Sequence, residues 1–229
     1  MIPQYFAEFQ TDRIVREHFF PDPTYRGVMV EVGAATPEFL SMSQHFRLNG
    51  WRCICVEPNP KYVELHRKRG NEVYPYACGE ADLDGQDFEI AHRDGDYEKN
   101  EFTDHSFSAL KVKEAYKAKE PSFYQLDVIK TKVDVRRLDT ILSGIGVEEV
   151  SFLSVDVEGW ELEVMRGFSV QKYRPRVILL ENFLHAPEYV EFMNRLGYSL
   201  AGRVEYNYLF SPASIWNSAS GRRRTLADP

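Results

Sequence analysis

From Tyr25 onward, short apolar runs alternate with amphipathic ones. The run Val28 to Val32, bounded by Gly27 and Gly33, predicts a buried strand. Pro37 to Asn49 follows as a predicted helix: Pro37 suits a first turn, Phe39, Leu40, Phe46 and Leu48 supply an apolar stripe, and Gly50 stops it. A second strand over Arg52 to Val56, a helix over Pro60 to Lys68 ending at Gly70, and a third strand over Glu72 to Ala77 complete the unit. Strands and helices in this strict alternation, with short links, predict an α/β protein with a parallel sheet covered on both faces.

Between Gly79 and Lys132 the pattern weakens. A strand is expected at Asp87 to Ala91 and a helix from Ser108 to Lys119, broken by Pro121, amid polar and charged sequence. A weakly patterned stretch of this length inside a compact domain marks a lid or an insertion. Alternation resumes with a strand at Thr131 to Val135, a helix from Leu138 to Leu142, and a strand from Ser151 to Val155 with Asp156 at its exit. A helix from Trp160 to Arg166 closes at Gly167, and the strand Arg176 to Leu180 exits at Glu181-Asn182. The helix Pro187 to Leu196 stops at Gly197, and Tyr198 to Arg203 with Glu205 to Phe210 form a closing antiparallel pair. Without repeats or low-complexity tracts, residues 1–229 read as one domain, with an N-terminal segment (1–26), a lid or insertion (79–132) and a mobile tail (212–229).

Composition narrows the class. The 229 residues suffice to bury a core without disulfide or metal staples. A formal charge of −7, from 35 acidic and 28 basic residues, argues against general affinity for nucleic acid. Arg222-Arg223-Arg224 reads as part of the solvated tail. No run approaches the roughly 18 uncharged apolar residues of a membrane span, and Met1 to Arg13 lacks the pattern of a secretory signal. Cys53, Cys55 and Cys78 form neither a disulfide framework nor a zinc motif. The expectation is a soluble, cytoplasmic protein.

In an open parallel sheet, ligands bind beyond the carboxyl ends of the strands, where strand order reverses. The first exit, Glu31-Val32-Gly33-Ala34-Ala35-Thr36-Pro37, pairs a glycine turn with a carboxylate. A pyrophosphate fingerprint would need glycines at positions 35 and 38, where Ala35 and Glu38 stand. The second exit, Val56-Glu57-Pro58-Asn59, offers an acid able to accept both hydroxyls of a ribose. Together they suggest a nucleoside ligand without phosphates, which S-adenosylmethionine fits. The plain alternatives are an exposed strand-end carboxylate at Glu31 and a helix-start acid at Glu57. The third exit, Tyr76-Ala77-Cys78-Gly79, falls near an adenine or simply packs a crowded edge. The run Ser151 to Glu161 delivers Asp156 to the sheet edge with Glu158 two residues on, either as chemistry or as helix caps.

The run Asp156-Val157-Glu158-Gly159-Trp160-Glu161, with Arg166-Gly167 after it and Val135-Arg136-Arg137-Leu138-Asp139-Thr140 before it, resembles the signature of FkbM-type methyltransferases. The turns at Glu31-Val32-Gly33-Ala34 and Val56-Glu57-Pro58-Asn59 fit the same pattern, which runs from about Gly27 to Phe210. The resemblance implies a Rossmann-like class I methyltransferase fold, with a mostly parallel seven-stranded sheet and a closing antiparallel hairpin. It also implies S-adenosylmethionine as methyl donor and a hydroxyl acceptor on a sugar, glycan or natural product. Carried over by position, Glu31, Gly33 and Ala34 fall at the methionine part, Glu57, Pro58 and Asn59 at the ribose, Ala77 and Cys78 at the adenine, and Asp156 beside the methyl. The chain departs from the family at Ala35-Thr36-Pro37, where Asn and a second Gly are common, and Asp104 to Leu110 matches the family's serine loop only loosely. In that loop Ser108 is a candidate cofactor contact, or a helix cap.

Methyl transfer to oxygen needs a positioned acceptor and a destination for its proton. Asp156, Glu158 and His185 are the candidate bases. Asp156, Glu181 and Asn182, at neighbouring strand exits, are candidate ligands for Mg2+, in an arrangement similar to metal-dependent O-methyltransferases. Tyr206-Asn207-Tyr208 are candidates for the acceptor pocket, as are the insertion's aromatics Tyr97, Phe102, Phe107, Tyr116, Phe123 and Tyr124. Tyr5, Phe6 and Phe9 with the hairpin edge are candidates for a homodimer contact. A Rossmann-like domain that binds a nucleoside or partner without catalysis is the alternative.

Overall fold

The computed structural model describes residues 4–92, 108–119 and 126–212. The Asp104–Phe107 part of the serine loop, the aromatics Tyr97, Phe102, Phe107, Phe123 and Tyr124, and the tail with Arg222-Arg223-Arg224 lie outside the described residues.

A 3₁₀ turn at Glu8–Gln10 leads into helix α1 (Thr11–Phe19). The sequence reading left this segment unassigned, yet its Val15 and Phe19 are buried and its Asp12 accepts a hydrogen bond from the Phe6 N–H at 2.7 Å. Strand β1 (Val28–Val32) follows, then α2 (Met42–Leu48) and β2 (Arg52–Val56). The helix expected from Pro37 begins only at Met42. Leu40 takes a left-handed φ of 54° that no helix accommodates, and Ser41 caps α2 by accepting from the Gln44 N–H at 3.2 Å. Helix α3 (Pro60–Lys68) is capped by Asn59, with proline at the first turn as predicted.

Strand β3 is shorter than expected, Glu72–Tyr74. The chain turns at Tyr76, and Ala77–Cys78 form strand β4 in another sheet. That sheet is built by the insertion: β5 (Leu83–His92) and β6 (Asp127–Arg136) pair antiparallel along their length, with β4 parallel to β6. The insertion's sequence looked weak because only one side of this hairpin packs, burying Phe88, Ile90, Val133 and Val135 while polar residues face outward. Between them lies α4 (Glu114–Lys119), half the length expected, because Ala109 pairs with Glu89 as a β-bridge.

The second half continues through α5 (Leu138–Gly144), β7 (Phe152–Val155), α6 (Glu161–Arg166) and the one-turn α7 (Val170–Tyr173). Strand β8 (Val177–Glu181), α8 (Glu188–Arg195), β9 (Tyr198–Val204) and β10 (Asn207–Pro212) complete it. The main sheet has the order β3-β2-β1-β7-β8-β10-β9, and only β10 runs against the rest. This is the expected seven-stranded α/β architecture.

Period-two alternation explains the apolar runs. On β1, β2, β7 and β8, Val30, Val32, Ile54, Val56, Leu153, Val155, Ile178 and Leu180 enter one core with α5 and α6. Their neighbours Met29, Cys53, Phe152, Val177 and Leu179 enter a second core with α1 and α2. Each fully buried side chain of this kind contributes roughly 2 kcal/mol. Two dry faces leave the strand exits as the place for polar chemistry, and the chain reverses its direction of travel between β1 and β7. The crevice opens there.

Candidate functional site

At the exit of β1 the chain must turn without side-chain bulk. A Cβ on Gly33 would lie 1.7 Å from the Asp156 carbonyl oxygen, and its φ of +82° is left-handed. Ala35 also has a positive φ, 42°, and is held from both sides. Its N–H donates to Glu57 Oε2 at 2.8 Å, and its carbonyl accepts from His66 Nε2 at 3.1 Å. A carbonyl can only accept, so Nε2 carries the proton, leaving Nδ1 to accept from Asn71 Nδ2 at 3.0 Å. Burial lowers His66 to about 4, so it stays neutral.

Glu57 accepts the Asn59 N–H on its other oxygen at 2.7 Å. Burial raises it to about 7, against the pull of those two amides. Glu31 accepts the Met42 N–H at 2.9 Å and so braces the start of α2, and burial lifts it too to about 7. Two cavities meet here. The first is lined by Glu57, Pro58, Ala77, Cys78 and Ser108, the second, of about 350 Å³, by Glu8, Glu31, Ala34, Phe39, Glu181 and Asn207. Both touch Gly33, Ala35, Tyr62, Asp156 and Glu158, so they form one cleft.

The exits of β7 and β8 face it. Asp156 donates its N–H to Val32 at 3.0 Å, and the next residues turn sharply, with left-handed φ at Glu158 (57°) and Gly159 (93°). Glu161 holds that turn. One of its oxygens accepts the Val157 and Gly159 N–H groups at 3.1 and 3.0 Å, and the other accepts the Tyr189 hydroxyl at 2.5 Å. The Tyr116 ring covers Gly159, where a Cβ would come within 2.8 Å, and Lys113 donates to the Gly159 carbonyl.

Asp156, Glu158 and Glu181 bring carboxylate oxygens within 4.8 Å of one another. Asp156 is exposed to the cleft, at the seam of the two cavities. Burial foremost, then the Glu161 charge, raises it to about 7. Glu158 and Glu181 stand well above the usual carboxylate range, through burial and then the Asp156 charge. Asp156 and Glu181 act on each other in opposite senses, Glu181 holding Asp156 down and Asp156 pushing Glu181 up, so Glu181 is the one that keeps its proton. Glu158 Oε2 and Glu181 Oε2 are buried with no hydrogen-bond partner.

The cleft thus gathers Glu31, Gly33, Ala34, Glu57, Pro58, Ala77, Cys78, Ser108, Asp156, Glu158 and Glu181 from the sequence reading. Asn59 stays behind it, 1% exposed, capping α3 and feeding Glu57. Asn182 is not brought to the carboxylates: both ends of its amide bind Ala186, at 2.8 and 3.0 Å, and Glu158 joins the cluster instead. His185 lies outside the cleft on the surface, its Nδ1 3.2 Å from the Tyr208 hydroxyl. Of the hairpin candidates, Asn207 lines the cleft, whereas Tyr206 packs on Phe183. The sequence reading missed Glu8, Tyr62 and His66. Their signal is long-range: Glu8 reaches the cleft from the 3₁₀ turn, and Tyr62 and His66 reach the cleft or its turn from α3.

These residues sit in a recognised domain. The methyltransferase FkbM domain matches residues 31–200, most of the chain. A solved structure described as methyltransferase FkbM from Methylobacillus flagellatus KT is similar in fold, with a TM-score of 0.50 and 15% identity. The similarity covers 81% of this chain but 43% of that one, so the chain spans less than half the length of this relative. No curated protein sequence matches the chain. Among the described residues, no helix is long and apolar enough to cross a membrane. By the extent of the domain match, the chain belongs to the methyltransferase FkbM family.

Proposed function

We propose that the chain is an S-adenosylmethionine-dependent O-methyltransferase that methylates a hydroxyl of a sugar, glycan or natural product. The observation that carries this reading is one cleft at the strand-order reversal, lined by carboxylates on both sides and lacking a pyrophosphate fingerprint. Such a lining suits a cationic nucleoside. The missing Cβ at Gly33 lets the Asp156 main chain close against this turn, and the unpartnered oxygens of Glu158 and Glu181 suit positive charge. We assign Glu57 to the ribose hydroxyls, Ala77, Cys78 and Ser108 to the adenine side, and Glu31 with Gly33 and Ala34 to the amino-acid end.

When bound, S-adenosylmethionine supplies a methyl carbon activated by its sulfonium. The chain's own work is to hold the acceptor hydroxyl, exclude water and take the proton. Asp156 is our assigned base, because it opens on the cleft and titrates near neutrality. Glu181, whose carboxyl comes within 4.8 Å of that of Asp156 and keeps its own proton, leaves Asp156 as the member of the pair that can take another.

A second reading adds a divalent cation, favoured by the two unpartnered oxygens. Asp156, Glu158 and Glu181 would hold it, replacing the trio with Asn182, and all-oxygen donors of this kind suit magnesium. It would lower the acceptor hydroxyl's pKa.

Calorimetry with S-adenosylhomocysteine tests the proposal. Binding is expected, weakened by Glu57→Ala, and absence of binding removes the reading. Binding without methylation of any hydroxyl in a broad library would favour a non-catalytic domain. Full turnover in EDTA would remove the cation.

A further inference from the structure

We propose that the acceptor carries a positively charged amine on a sugar-like ring, and that Glu8 receives that amine. The proposal rests on the methyltransferase reading and deepens it. The larger cavity is lined by Glu8, Glu31, Asp156, Glu158 and Glu181, and no lysine, arginine or histidine is among its described lining residues. S-adenosylmethionine brings two positive groups and one carboxylate, so it offsets only part of this acidity. A divalent cation at the three inner carboxylates, with the cofactor's ammonium at Glu31, would still leave Glu8 uncompensated. Glu158 is 6% exposed and its Oε2 has no partner, so the deep wall awaits a donor.

Glu8 is fixed at the outer wall. Its neighbour Ala7 is bridged to Leu40, and its own carbonyl accepts the Thr11 hydroxyl at 2.7 Å. Among the described residues its carboxylate makes no hydrogen bond or ion pair. Beside it Phe39 and Leu40 are half exposed, 50% and 49%, at the cavity rim, and Asn207 presents an amide from β10. An apolar platform, an amide and spaced acids match a ring with a C–H face, hydroxyls and an amine. Every charged residue of the lining is acidic, so a phosphate brought to the Glu8 wall would meet like charge, relieved by the neutral Thr36, Tyr62, Ser154 and Asn207 alone among the described lining residues.

The experiment uses protein saturated with S-adenosylhomocysteine and three probes: glucosamine, glucose and glucose 6-phosphate, read by calorimetry or saturation-transfer NMR. Glucosamine is expected to bind about tenfold or more tighter than glucose, as a charge-assisted hydrogen bond allows. Glucose 6-phosphate should bind weakest. Glu8→Gln should erase the glucosamine advantage while S-adenosylhomocysteine affinity stays unchanged. Equal affinities, a preference for the phosphate, or binding of none of the three overturns the proposal. Failure of the cofactor to bind overturns the methyltransferase reading instead, so the two failures are separable.

Discussion

The carboxylates beyond β1 and β2 differ from those beyond β7 and β8 in how their oxygens are spent. Glu57 accepts two backbone N–H groups and Glu31 accepts the Met42 N–H, so the protein itself completes much of their bonding. Glu158 and Glu181 each keep a buried oxygen with no partner. All four are raised by burial, but only the first pair is compensated by amides. The first region is a preorganised cradle. The second is unfinished without a ligand, and leaving a buried carboxylate oxygen unpaired costs about 1–3 kcal/mol.

The two regions touch at Gly33 and Asp156, so Gly33→Ala should have the largest effect. The added carbon would press on the Asp156 carbonyl, at a left-handed φ. A cost on the order of 3 kcal/mol is expected, or about 6–12 °C in melting temperature for a chain of this size, with loss of S-adenosylhomocysteine binding. Gly146→Ala, also left-handed but facing open space, is the control and should cost far less. Similar melting shifts for both would break the claim that the regions meet through this glycine.

Glu161→Ala should separate them. Glu161 organises the turn carrying Glu158 without contacting the first region, through the Val157 and Gly159 amides and Tyr189. Turnover is expected to fall about 10- to 100-fold, the scale of a misplaced acid–base group, while S-adenosylhomocysteine affinity holds. Tyr189→Phe, which removes one of the three bonds, should lose less. Affinity falling in step with turnover would show that the regions are not independent.

How much of this was legible in the sequence follows from what each signal depends on. Gly33, Glu57 and Asp156 were found because strands buried on both faces leave unmistakable apolar runs, and their exits follow by counting. The insertion's hairpin was obscured because one face of it meets solvent, and Ala77 was read as the end of the third strand, although with Cys78 it pairs in the other sheet, because a two-residue strand has no pattern of its own. Asn182 and His185 stood in the right stretch, but the chain turns there: His185 has a φ of 53° and Asn182 closes on Ala186. Glu161 belonged to the quoted motif, yet its role depends on Tyr189 in α8, which no local pattern announces.

The cradle should show a pH signature of its own. In the proposed ribose contact Glu57 would have to be ionised to accept both hydroxyls, and burial raises it to about 7 in the free protein. S-adenosylhomocysteine affinity should therefore decline as pH falls below about 7, by up to tenfold per unit for each proton displaced. Stability runs the other way. Between its ordinary 4.5 and the folded value of about 7, the folded chain holds a proton that the unfolded chain does not, so the Glu57 contribution to stability falls as pH rises through that window. Glu57→Gln should flatten part of both slopes, leaving the parts due to Glu31, Asp156, Glu158 and Glu181, and its melting temperature should gain on the parent's between about pH 5 and pH 8. Unchanged slopes would mean that Glu57 is ionised throughout and that its amides outweigh its burial.

The smallest effect belongs to His66, which never faces the cleft but holds the Ala35 carbonyl in its left-handed turn. Removing a neutral hydrogen bond of this kind costs about 1 kcal/mol, so His66→Leu should weaken S-adenosylhomocysteine binding by roughly fivefold and leave the turnover of cofactor-saturated enzyme nearly intact. His66→Gln keeps an N–H donor near the same carbonyl and should recover most of the affinity. Because His66 titrates near 4, the loss should be the same at pH 6 and pH 8. Recovery by glutamine separates a bond to the turn from mere filling of the space beneath it. If leucine and glutamine behave alike, the turn is held by the Glu57 side alone.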